Sequence, residues 1–578
     1  MLARQPQNEL LDAIATILVR DVEVVAIAAS GPNIVAIQDA IQQLPGSDAD
    51  DNQNYSNVKI AGIGNPRKED TYEFPDGRNF MMVKEGRSHL ARSPAETDAW
   101  KHYLKIPKDD PLSNHIHTVV DFLKKHKRVR SDARWAHQTY FAKYLVVRCW
   151  PKMERRISSW SSRGYVYVLG QVRDRCITGW VSSSSHKIPG MFTSQHNRGL
   201  TGLVVEMVRD GTMGSVIMGP SGYSERSLAH LVASYSNIVT PRQVVPSQDD
   251  NGGYDITTCT EFHQLLVATL LTYGKVLCAL PDARRMAETG KNTMDDFAEK
   301  LDKVWRCGRL LWVIASLRMF RHHLVACQGD LSLPTHDNSD SYHRFTNFKP
   351  AKGPAVDTPA DPNTPADTDD LDFVEDAKVH LVTGEAMHVM FLEWFQVQAS
   401  HSLALATLSK AFGFHDLHKT VPDVYLIAVQ HPELEGNSRE VESWETTLTN
   451  LLKEYEGTRH ELNVEDVLGV MRTAVHKEHI YIGAIHCEIA LATLAVLFQK
   501  LPVADTKRHP ILADVLQNMD QTIIAVSKRC CPVCWELLDI LRDKCKQFHV
   551  CGRHSTLFPV ELPSWLSEDY MGRNDLSL

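Results

Sequence analysis

Residues 481–498 read YIGAIHCEIALATLAVLF, and residues 522–545 read TIIAVSKRCCPVCWELLDILRDKC. Each runs a short apolar, β-rich stretch into a segment of helical length. The unusual residues sit at the two joins. His486, Cys487 and Glu488 occupy the first, and Cys530, Cys531, Pro532, Val533 and Cys534 the second. A strand-to-helix turn aims side chains and backbone N–H groups at one point, so these joins form the candidate site.

The residue types there point to a metal. A catalytic zinc site takes three protein ligands and keeps one open position for water, whose pKa the metal lowers toward neutrality. A carboxylate beside the metal, and not bound to it, then moves protons. His-x-Glu followed by Pro-Cys-x-x-Cys is the arrangement zinc deaminases use. From His486 to Cys531 there are 45 positions, room for one helix, a loop and one parallel strand. Cys531 and Cys534 in a first helical turn gain thiolate character from the helix N-terminus. Cys534, Leu537, Leu538, Leu541 and Cys545 follow at helical spacing and give that helix a stripe to bury. A second His-x-Glu, His476-Lys477-Glu478, falls before the strand and is set aside by position.

With HCE after a strand, SKRCCPVC after a strand, and the tail Gly552-Arg553-His554 through Phe558-Pro559 to Leu562-Pro563, the chain resembles the fungal deaminase-like proteins. These belong to the cytidine deaminase-like superfamily and are similar to bacterial toxin deaminases. The resemblance covers roughly the last 110 residues. It implies an α/β/α sandwich, one zinc ion and hydrolytic removal of an amino group from cytosine or adenine, free or in nucleic acid. By it, His486, Cys531 and Cys534 match the zinc ligands and Glu488 the proton shuttle. Cys530 is a departure, since the superfamily usually has proline there. Trp535, His554 and Phe558 follow the metal elements and are candidate substrate contacts, with core packing the plainer role for Trp535 and Phe558.

The rest of the chain is read as multi-domain. With 578 residues, 43% hydrophobic and 23% charged, it has ample length for more than one core. A net charge of −9 gives no global pull toward nucleic acid or an anionic membrane. Residues 1–340 are expected to be a mainly helical region with a surface for a protein partner. Within it NELLDAIATIL reads as helix and VEVVAIAA as strand. Residues 341–372, with Thr358-Pro-Ala-Asp361 repeated at Thr364–Asp367, read as a disordered linker. Residues 373–460 read as helical support of the C-terminal unit, with a helix over 438–456, and 461–578 as the zinc domain. No secretion signal is evident, so an intracellular setting is expected. The nearest thing to a membrane span, 481–498, carries His486 and Glu488 and reads as a core element.

Residues 122–165 hold twelve Lys or Arg against Asp132 and Glu154, interleaved with aromatics. Lys124, Lys125, Lys127, Arg128, Arg130 and Trp135 are the candidate nucleic-acid contacts. The plainer alternative is the solvated face of amphipathic helices whose aromatics are core. Arg321-His322-His323 shows no partner in the sequence and reads as surface or helix-end histidines. Ala61-Gly-Ile-Gly64 lacks the third dinucleotide glycine, and Gly219-Pro-Ser-Gly-Tyr223 lacks the last glycine of a nucleophile elbow.

Two rivals compete at the candidate site. CPVC at a helix start resembles a glutaredoxin motif, although only 44 residues follow Cys534 and His-x-Glu is then unexplained. A structural zinc closed by Cys545 or Cys551 would leave no water, and the fold would serve as an interaction module.

Overall fold

The computed structural model describes residues 6–20, 25–30, 32–38, 71–73, 79–83, 86–90, 103–107, 110–129, 133–183, 259–289, 294–316, 318–348, 387–412, 421–430, 439–440, 480–481, 486–502, 506–526, 530, 532–541 and 548–550. They are mostly helical, with one small mixed sheet and a short ribbon.

The sheet begins at the N-terminus. Helix α1 (Pro6–Leu18) leads into β1 (Val25–Ser30), which pairs antiparallel with β2 (Asn33–Gln38) from Ser30↔Asn33 to Val25↔Gln38. That register leaves only Gly31-Pro32 between the strands, and Gly first in a two-residue loop suits a hairpin. Strands β3 (Thr71–Glu73), β4 (Asn79–Val83), β5 (Val424–Gln430), β8 (Ile523–Val526) and β9 (His549–Val550) complete the order β3-β4-β5-β2-β1-β8-β9. Pairs β2–β5 and β8–β9 are parallel, and the other neighbours antiparallel.

Because strand side chains alternate between faces, each central strand feeds two cores. Val25, Ile27, Ile34, Ala36, Ile523 and Ala525 pack with α1 and the helical body. Ala26, Ala28, Val35, Ile37 and Ile524 pack with three C-terminal helices, α12 (Cys487–Lys500), α13 (Pro510–Gln517) and α14 (Pro532–Leu541). The sheet is thus covered by helices on both faces. Ser30 Oγ donates to the Val515 carbonyl at 2.7 Å, fixing the end of β1 to α13.

Between β4 and β5 the chain builds the helical body. It contains α2 (Leu112–Arg128), α3 (Arg134–Ser158), α4 (Trp160–Gln171), α5 (Asp174–Ser183), α6 (Cys259–Glu288), α7 (Met294–Ser316), α8 (Arg318–Cys327), α9 (Ser339–Thr346), α10 (Met387–Gln398) and α11 (Ser400–Ala411). Helix α6 runs along α7, and α11 lies against α1. His115 of α2 ties α1 to α3: its Nε2 donates to the Ile17 carbonyl (2.9 Å) and its Nδ1 accepts from the Tyr144 hydroxyl (2.8 Å). Nearby, Arg148 pairs with Asp110 at 3.4 Å, both side chains buried, and Arg20 donates to the Asp110 carbonyl. Burial opposes the Asp110 charge, but hydrogen bonds from His89 and Asn114 and the Arg148 charge hold its carboxyl below the usual range.

The first 38 residues supply the hairpin at the middle of the sheet, the strand read in VEVVAIAA appearing as β1. Three sequence expectations are corrected here. The linker does not start at 341: α9 spans that point because Tyr342 and Phe348 are buried and Tyr167 packs on Tyr342 and Phe345 at 5.2 and 5.4 Å. Residues 349–372 lie outside the described residues. Helices α10 and α11 do not support the C-terminal layer. Their Phe391, Trp394, Phe395, Leu405 and Leu408 are buried in the body, where Trp394 stacks on Tyr165 at 5.1 Å. Finally, the helix expected from 438 opens instead as strand β6 (Arg439–Glu440), with 441–456 outside the described residues.

Among the described residues the helix long and apolar enough to cross a membrane is Phe262–Glu288, not 481–498; most of it is buried within the protein, as a core helix is. The apolar helix α12 has 14 residues, about 21 Å at 1.5 Å per residue and too short to span.

Candidate metal centre

The first join folds as a helix start. His486 is the N-cap of α12, extended at φ −70° and ψ 146°, so Cys487 and Glu488 open the first turn. Glu488 there meets the positive end of the helix dipole. The helix is apolar all round because it is enclosed: ten of its residues are buried, from Cys487 to Phe498. The second join also starts a helix, with Pro532 at the first position, where its missing N–H costs nothing. Cys534 is therefore the third residue of α14.

Helices α12 and α14 pack on the same sheet face, which brings their N-termini together. The Cys534 sulfur lies 3.1 Å from His486 Nδ1, and Glu488 Oε1 lies 3.9 Å from that nitrogen. The three ligand atoms are all within 4.8 Å of one another. Cys534 is fully buried, Glu488 nearly so, and the His486 side chain is 23% exposed. The pocket therefore has one wet edge, at the histidine. A zinc ion bonded to both an imidazole and a thiolate would set them about 3.6 Å apart, about half an ångström wider than the pair now stands. Imidazole with thiolate is a zinc-type donor set. These residues fit the metal.

A strand precedes His486 as the sequence suggested, but it is not the parallel neighbour of the strand before Cys530. Strand β7 (Ile480–Tyr481) pairs antiparallel with β6 in a separate ribbon, and β1 from the N-terminus takes the place beside β8. Cys487 points into the core, and Cys530 is fully buried just before α14. Trp535 is half-buried and packs on the α12–α14 core, the plainer of its two expected roles. Cys531, His554, Phe558, Cys545, Cys551 and His476–Glu478 lie outside the described residues.

The basic segment divides. Phe141 and Tyr144 are core, and Phe122 stacks on Phe141 with centroids 4.8 Å apart. Lys125, Lys127 and Arg128 fall in the last turn of α2, where cations complement the helix dipole. Lys124 pairs with Asp423, 2.6 Å away at the start of β5. Trp135 is in the first turn of α3, and Arg130 is outside the described residues.

One expectation at a second place is overturned. His323 is not a surface residue: it is fully buried, beside His263 and Cys327, and these three form a further group able to hold a metal. Sixty residues of chain, with helix α7 among them, separate the two histidines, so no single local stretch marks the group. No protein-family model, curated protein or solved structure matches this chain.

Proposed function

We propose that the chain is a zinc-dependent deaminase of a nucleobase, cytosine or adenine, in a free nucleotide or in nucleic acid. The observation that carries this reading is the convergence of His486, Glu488 and Cys534 from two helix N-termini. Helices on both faces of the sheet are compatible with the α/β/α sandwich of the cytidine deaminase-like superfamily.

In this reading His486, Cys531 and Cys534 hold the metal, Cys531 being the residue just before α14. When bound, zinc supplies a Lewis acid that makes water a nucleophile near neutral pH. Glu488 supplies the proton traffic. Its carboxylate lies 3.9 Å from His486 Nδ1, beside the place a metal would take. It takes a proton from water and delivers protons to the ring nitrogen and the departing amine, which leaves as ammonia while the base gains a carbonyl oxygen. Its near-complete burial keeps bulk water from short-circuiting that transfer.

The test uses the purified full-length chain, kept reduced and free of chelator. Zinc is measured by elemental analysis, and nucleobases, nucleotides and oligonucleotides are screened for ammonia release. Glu488→Ala is expected to keep zinc and lose turnover. Full activity in that variant overturns the role of Glu488. Zinc without ammonia release from any base favours the non-catalytic module, and absence of zinc returns CPVC to thiol–disulfide chemistry.

A further inference from the structure

Cys259 and His263 lie one turn apart on α6, and His323 and Cys327 lie one turn apart on α8. Positions four apart share a helix face. The chain thus carries Cys-x3-His on one helix and His-x3-Cys on another, and the fold sets the two against each other. His263 Nδ1 is 2.9 Å from His323 Nε2, and the Cys327 sulfur is 3.5 Å from the latter and 4.0 Å from the former. Tetrahedral zinc with two imidazoles and a thiolate spaces its ligand atoms about 3.3 Å (N to N) and about 3.6 Å (N to S) apart. Opening the N···N edge and closing the longer N···S edge, each by about 0.4 Å, brings the triangle to that spacing.

The tautomer suits a metal. His263 Nε2 is 2.8 Å from the Leu169 carbonyl, which only accepts, so Nε2 carries the proton and the Nδ1 lone pair faces His323 and Cys327. Such a backbone bond on the far nitrogen orients metal-bound imidazoles.

Charge selects the fourth ligand. All four side chains are buried, and a doubly charged ion there needs two negative ligands to reach neutrality. Cys327 supplies one thiolate. Cys259, fully buried one turn before His263 on α6, would supply the second by turning its sulfur in toward the other three ligand atoms, which alone lie within 4.8 Å of one another. Neither is in a disulfide.

We propose that Cys259, His263, His323 and Cys327 hold a structural zinc ion that ties α6 to α8 inside the helical body. Four protein ligands leave no place for water, so this ion does no chemistry. The site is independent of the deaminase reading, and either stands if the other fails.

The experiment empties the first site in the full-length chain by Cys531→Ser with Cys534→Ser, then measures zinc and its X-ray absorption. About one zinc per chain with two sulfur and two nitrogen neighbours is expected. A folded variant without zinc, or zinc without sulfur neighbours, overturns the proposal. Should that variant not fold, the wild-type count decides with His323→Gln. A fall from about two zinc ions to about one supports the site. A wild-type count of one that His323→Gln leaves unchanged overturns it.

Discussion

Among the described residues, two places gather histidine and cysteine within 4.8 Å, and they are built in opposite ways. The His486 group sits where two helices begin. It has a wet edge, a carboxylate close by and a sheet beneath it. The His263 group sits along the sides of two helices, with every member buried and a backbone carbonyl behind one ring. Helix starts offer N–H groups and solvent, which suit a reacting molecule. Helix flanks offer enclosure, which suits holding a fold together. On the two proposals, one type of ligand set serves either role, according to which part of the helix presents it.

The contrast can be broken most forcefully at Glu488. Glu488→Ala should lower the rate of ammonia release about 10²- to 10⁴-fold, the usual worth of a general acid–base. Zinc content and melting temperature should hold. If zinc leaves with the carboxylate, Glu488 is a ligand and the centre is closed rather than open.

The helical body should respond in the opposite sense, through stability. Asp110→Ala leaves Arg148 buried without its carboxylate, and also removes acceptors for His89 and Asn114. Breaking a buried pair from one side costs about 3–5 kcal/mol. Denaturant unfolding should show that loss, while zinc at the His486 centre is retained. An unchanged midpoint would mean water reaches Arg148.

A smaller effect should couple the two regions. Ala26 and Ala28 of β1 and Ala490 and Ala492 of α12 are all fully buried in the core beneath the metal centre, so strand and helix approach closely. Ala28→Leu should overpack that layer at about 1–3 kcal/mol. It should also weaken zinc retention, by displacing the helix that carries His486. Loss of stability with zinc retention unaltered would show that α12 is positioned from elsewhere.

What could be read from the sequence follows this division. The two joins were legible because His486, Glu488, Cys531 and Cys534 fall into short motifs, each opening a helix whose start the turn chemistry marks. The sheet was not. VEVVAIAA showed itself as a strand, but nothing local says that it pairs with residues 525–526, almost 500 positions later. The His263 group was hidden for the same reason, since two i,i+4 pairs become one cluster only when α6 meets α8. Aromatics misled in both directions. Among the basic residues of 122–165, Phe141 and Tyr144 are core rather than stacking platforms. Tyr342 and Phe348 anchor a segment whose polar neighbours suggested a linker.

The smallest expected effect is an acid sensitivity of the body. His401 on α11 is buried, and burial, with Arg156, Lys152 and His115 around it, holds its pKa well below the ordinary 6.5, against a hydrogen bond to the Val19 backbone. His137, bonded to the Phe122 carbonyl at 3.0 Å, is lowered by burial too. Unfolding frees both rings to protonate near the ordinary value, so below about pH 6.5 the unfolded chain binds more protons. Stability is therefore complete above that pH and falls as pH drops, by at most about 1.4 kcal/mol per pH unit for each histidine. His401→Gln should remove the uptake of that ring's proton on unfolding as pH falls below about 6.5. The readout is the slope of unfolding free energy against pH. A slope equal to that of the wild type would mean that His401 is already protonated in the folded body. The cations around it would then need a buried anion to balance them.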